Sequence, residues 1–117
     1  MPIQSRYLFS AAMDVTPEKE ALFHEVYDTE HIPLILTVPG VLSAARLEVR
    51  PLTMILGGER KTIIAEGEPR FRAVYELESP DVLTTEAWAK VVDAGRWPGE
   101  VRPFTRNRRH VMFERRG

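Results

Sequence analysis

Cysteine is absent from the chain, which excludes a disulfide framework, a thiolate nucleophile and any cysteine-held metal. Also missing is an apolar run near the ~20 residues that a helix needs to span a bilayer. The stretch from Met1 to Met13 lacks a basic region followed by an apolar core, so it does not read as a signal peptide. Charge of one sign is missing as well. Sixteen Lys and Arg face 17 Asp and Glu, which leaves no global attraction to nucleic acid or to an acidic partner. A soluble, cytoplasmic protein without nucleic-acid or membrane partners is expected. At 117 residues it forms one domain, 1–117, able to bury about two-thirds of its unfolded surface.

What is present concentrates between Thr16 and Gly40. Thr16 is placed to cap a helix, Pro17 suits its first position, and Glu18 and Glu20 suit its positive end. Leu22, Phe23, Val26 and Tyr27 recur at helical spacing and make an apolar stripe that can lie on a sheet. Pro33 lacks a donor for the carbonyl of Thr29 and crowds it, so a break is expected at Glu30 to Ile32. A short second helical piece follows over Leu34 to Val38, stopped by Pro39-Gly40.

The polar groups of this element carry the main chemical signal. On a continuous helix His24, Tyr27, Asp28 and His31 share one flank, with Asp28 beside both histidines. A carboxylate orients an imidazole and raises its basicity, so a His31–Asp28 pair is the expected general base. His31 stands ahead of His24 because it lies at the expected kink. A metal site is not expected, since the tight His-x-x-x-His pattern is missing. The alternative is a pair of structural histidines on a solvated helix face.

Four strands are expected, over Ile3 to Met13, Val41 to Arg50, Arg70 to Leu77 and Thr105 to Phe113. Ser79-Pro80-Asp81 opens a second helix that Thr84-Thr85-Glu86 interrupts, and Gly95 stops it. Trp88 falls on its core stripe, while Trp97 is a pocket wall or a dimer contact. Between strands two and three, about 52–68, two short apolar runs flank Gly57-Gly58 and read as a hairpin arm. The arginine-rich end, Arg102 to Arg116, lacks the aromatic motif of an RNA-binding sheet and reads as a charge-guarded edge strand.

Setting the arm aside, the order βαββαβ is that of an α+β, ferredoxin-like domain with a four-stranded antiparallel sheet. Its helices cover one face. Leu8, Ala12, Leu42, Ala44 and Val74 are expected on the other, and exposed apolar area of that kind points to a homodimer.

The string Phe23-His24-x-x-Tyr27-Asp28-x-Glu30-His31-Ile32-Pro33, followed by Val38-Pro39-Gly40-Val41, resembles the first helix and turn of EthD-like proteins of the dimeric α/β-barrel superfamily. The layout of Arg70 to Tyr75 and Ser79 through Trp88 extends the similarity. The resemblance implies two sheets closing into a barrel and a small-molecule pocket between sheet and helices. It also implies a choice among cofactor-free monooxygenases, isomerases, cyclases and proteins of no known activity. No motif for heme ligation is visible, and no cofactor is expected.

Two functions follow. In the first, an aromatic or enolisable compound loses a proton to His31, oriented by Asp28, while Tyr27 or Tyr75 and Arg46 hold the developing oxyanion. His24 and Trp97 complete the binding surface. In the second, the same homodimer binds a small organic ligand without catalysis.

Overall fold

The computed structural model describes residues 3–117. Its main sheet has four antiparallel strands: β1 (Tyr7–Val15), β2 (Val41–Glu48), β5 (Phe71–Leu77) and β6 (Thr105–Glu114), in the order β2-β5-β1-β6. That order is ferredoxin-like. Three α-helical pieces, α1 (Glu20–Val26), α2 (Ile32–Ile35) and α3 (Glu86–Val92), join it through irregular turns. The first strand starts four residues later than expected. Arg6 and Ser5 instead hold the chain end to the sheet, Ser5 through its N–H to Glu76 Oε1 at 3.1 Å.

Alternation decides which side of the sheet is filled. Phe9, Ala11 and Met13 of β1 and Phe71, Ala73, Tyr75 and Leu77 of β5 point to the helices, where Phe23, Val26, Tyr27 and Ile35 meet them in the core. The second strand departs from the expected alternation. Its register against β5 shifts between Val41 and Ser43, so Leu42 is bulged outward and Ala44 pairs with Tyr75. A bulge inserts one residue and exchanges the faces beyond it. Ala44 and Arg46 therefore sit on the helix side, and Ala45 and Leu47 replace Leu42 and Ala44 beside Leu8 and Val74 on the open side. Leu42 and Leu47 are exposed, so β2 is not covered on both faces in one chain.

The first helix differs from expectation in two ways. Thr16 makes no side-chain cap; a 3-10 turn at Pro17–Lys19 precedes α1. Nor does the chain break before Pro33. Tyr27–His31 form a π-helical turn, and the N–H of Ile32 reaches back to the carbonyl of Tyr27. The wider turn makes room for the proline ring, so Ile32 keeps helical angles (φ -62, ψ -49) and Pro33 enters the first turn of α2. Pro33 is thus absorbed by a π turn rather than by a kink.

The later helix follows its capping signals. Asp81 N–H donates to Ser79 Oγ at 3.1 Å, and Trp88 N–H donates to Thr85 Oγ1 at 3.2 Å, restarting the helix after a 3-10 turn. Between β2 and β5 lies a hairpin of β3 (Leu52–Leu56) and β4 (Glu59–Ile63), turning at Gly57 and Gly58 with φ of 58 and 81. Every residue of both strands is exposed. Among the described residues no helix is long and apolar enough to cross a membrane.

Candidate functional site

The π turn rotates His31 inward. It is 6% exposed and lies between aromatic faces: Trp97 stacks on it at 4.4 Å between centroids, and Tyr27 meets it edge-on at 5.1 Å. Trp97 opens a second π turn, Trp97–Val101, so both partners of the stack sit on widened helical turns. Such turns redirect side chains out of α-helical register. Nδ1 of His31 is buried without a hydrogen-bond partner. Burial, reinforced by the positive charge of Arg102, lowers its pKa to about 4, so the ring is neutral at pH 7.

A pocket of about 230 Å³ opens beside this ring, between the sheet and the helices. Its floor is Phe9, Ala11 and Met13 of β1 with Tyr75 of β5, and its walls are Tyr27, Trp88 and Trp97. Phe9 stacks on Tyr75 at 5.9 Å and takes Trp88 edge-on at the same distance, which makes the floor stiff. Tyr27 and Tyr75 are both deeply buried, and burial raises both phenols well above their ordinary range. Both are therefore neutral and serve as hydroxyl donors.

The expected His31–Asp28 pair does not form. Asp28 Oδ1 accepts from Arg46 Nη1 at 2.9 Å, and Arg46 Nη2 donates to His24 Nδ1 at 2.8 Å. The physical reason is the π turn: its extra residue per turn separates Asp28 from His31, while His24 and Asp28, one turn apart, share a single guanidinium. Because arginine only donates, Nδ1 of His24 is the acceptor. Arg46 also lies 4.8 Å from the centre of the Tyr27 ring. Glu48 and Glu76 take other partners: Arg50 and Arg70, and Ser43 and Ser5, respectively.

Of the sequence-derived candidates, the pocket brings together Tyr27, His31, Tyr75 and Trp97. His24, Asp28 and Arg46 form a separate polar cluster behind Tyr27. Three side chains not foreseen as site residues complete the pocket rim: Arg102, Arg108 and His110. Alternation along the last strand does put Arg108, His110 and Met112 on one face. Nothing in that charge-rich strand says which face turns toward the helices.

Solved structures with a similar fold include an EthD family protein from Bacillus halodurans, 13% identical, with a TM-score of 0.59 over 94% of this chain and 99% of that one. This chain has an EthD-like fold. It is similar as well to MhuD, a heme-degrader from Mycobacterium tuberculosis with two hemes in its active site: 19% identity, TM-score 0.57, 92% of this chain and 93% of that one. A substituted MhuD carrying two manganese protoporphyrin IX per active site gives 19% identity and a TM-score of 0.60 over 92% of both chains. No family model and no curated protein matches. At these identities the EthD-like likeness is one of fold, and the chemistry rests on the residues of the pocket.

Proposed function

We propose that this protein binds a small aromatic or enolisable molecule in the pocket beside His31 and removes a proton from it without a cofactor. The observation that carries the reading is the neutral, buried imidazole of His31 on the wall of the pocket. A neutral imidazole can take a proton from a ligand hydroxyl or acidic C–H set against it. Trp97, Trp88 and Phe9 favour a flat ligand of one or two rings. The Tyr27 and Tyr75 hydroxyls would donate to an oxyanion that develops as the proton leaves. Arg46, over the Tyr27 ring, adds positive potential behind that hydroxyl.

Porphyrin does not suit the residues present. The pocket, about 230 Å³, is below the roughly 300–1,000 Å³ that drug-sized ligands occupy and has room for one or two rings rather than a macrocycle, and Trp97 covers the face of His31.

The working unit of this proposal is a cytoplasmic homodimer. Leu8, Ala45, Leu47 and Val74 line an open groove on the bare side of the sheet, and a second copy would cover it. The exposed arm, with Met54, Ile55 and Ile64, supports the same reading.

Proton exchange tests the chemistry without knowledge of the final product. Flat aryl ketones and β-dicarbonyl compounds in deuterated water should lose their acidic C–H signal faster with the wild type than with His31→Phe. Exchange that His31→Phe leaves intact would assign His31 to structure, and no exchange above buffer with the wild type would favour a non-catalytic binding protein.

A further inference from the structure

The charge around the pocket has one sign. Arg102 and Arg108 border it, Tyr27 and Tyr75 add hydroxyl groups, and among the described residues no carboxylate lines it. In a chain with 17 acidic and 16 basic residues this is a local segregation, not a reflection of composition.

The two arginines differ in what they are free to do. Arg102 is anchored, donating through Nη2 to the Val92 carbonyl at 2.6 Å and to Asp93 Oδ1 at 2.8 Å. Arg108 stands on β6, exposed, and among the described residues forms no ion pair or side-chain hydrogen bond. Its neighbours on the strand are paired differently: Arg109, on the opposite face, lies 3.7 Å from Glu68. His110, two residues from Arg108 on the same face, stacks on Phe9 at 6.0 Å, continuing the pocket floor to the rim. A flat ring lying on Phe9 and His110 would thus bring a substituent at its edge within reach of the Arg108 guanidinium.

Resting on the ligand-binding reading above, we infer that the ligand is an aromatic acid, its anionic group held by Arg108 at the rim while its ring lies on Phe9 and His110. The planar guanidinium fork suits a carboxylate, and its charge suits any acidic oxygen. Arg102, tied to Asp93, supplies fixed positive potential and does not release its partners. The assignment divides the pocket: an anion-recognising rim and an acceptor, His31, further inside. Arg108 is a specificity-determining residue and plays no part in moving the proton.

Two fluorescent probes of the same aromatic body separate this inference from the one it rests on: naphthalene-2-sulfonate and its uncharged parent, naphthalene. Val92→Trp, which puts a bulky ring on the pocket lining, should weaken both; if neither probe depends on it, the pocket reading itself fails. Arg108→Gln should weaken the sulfonate by about tenfold or more, the loss expected of one charge-assisted hydrogen bond, and leave the uncharged probe unchanged. Arg109→Gln, which removes the same charge from the other face of β6, should alter neither. Arg108→Lys should restore part of the sulfonate affinity. Equal loss in Arg108→Gln and Arg109→Gln, or no loss in either, would overturn the anion site while leaving the pocket standing.

Discussion

His31 and Trp97 stack with their ring centroids 4.4 Å apart, and the residues immediately before them, Glu30 and Arg96, are locked together. Glu30 accepts from the Arg96 N–H at 3.0 Å and from its Nε at 2.5 Å. The contact joins one π turn to the start of the other, so the stack and the clasp act as one joint between the first helix and the loop after α3. Hydrogen bonds from Arg96 hold the Glu30 carboxyl below its usual range.

Glu30→Gln should loosen this joint while leaving His31 and Trp97 in place. A positioning role predicts a red shift in Trp97 emission and weaker ligand binding, with secondary structure by circular dichroism unchanged. Unaltered emission would show that the ring stack holds itself.

Stability should fall as pH drops from about 6.5 to about 4. His31 titrates near 4 in the folded chain and near 6.5 when unfolded, so the unfolded state binds the extra proton in that window. The sign is a loss on acidification, of roughly 3 kcal/mol across the full window. The lowered pKa of His110, set by burial and then by Arg108, acts in the same direction. Urea unfolding at steps of pH should therefore show a slope that is shallower in His31→Phe.

Arg46 holds Asp28 and His24 at once and lies over Tyr27. Arg46→Met keeps the aliphatic stem but removes both hydrogen bonds, and should cost about 1–2 kcal/mol in urea unfolding. A neutral result would mean that solvent replaces the guanidinium without loss.

Gly40 turns α2 into β2 at φ 92, and an added Cβ would come 2.5 Å from Val82 Cγ2. Gly40→Ala should lower stability by more than about 2 kcal/mol, combining a left-handed backbone with a clash. Gly58→Ala, at φ 81 but with open space around it, should cost only the backbone part, about 1 kcal/mol. Thermal melts of the two variants separate these contributions.

For the proposed dimer, sedimentation should report about twice the 13.4 kDa chain mass. Leu47→Glu, at an exposed position on the open sheet face, should return the monomer. A wild type that sediments as a monomer would remove the second copy from the proposal.

The sequence by itself determined the order of elements, the hairpin at Gly57-Gly58, the Ser79 and Thr85 caps and the importance of the turn before Pro33. Each depends on interactions within a few residues, and local chemistry suffices to read them. Tertiary structure alone decided the rest. Whether Pro33 would kink the helix or widen it into a π turn was settled by how Tyr27 and His31 pack against Trp97, and that choice parted His31 from Asp28. The bulge at Leu42 shifted Ala44 and Arg46 to the helix side, an outcome set by pairing with β5 that alternation within one strand does not contain. The same holds for Arg108 and His110, whose strand shows two faces but not which of them the neighbouring strands will turn toward the helices.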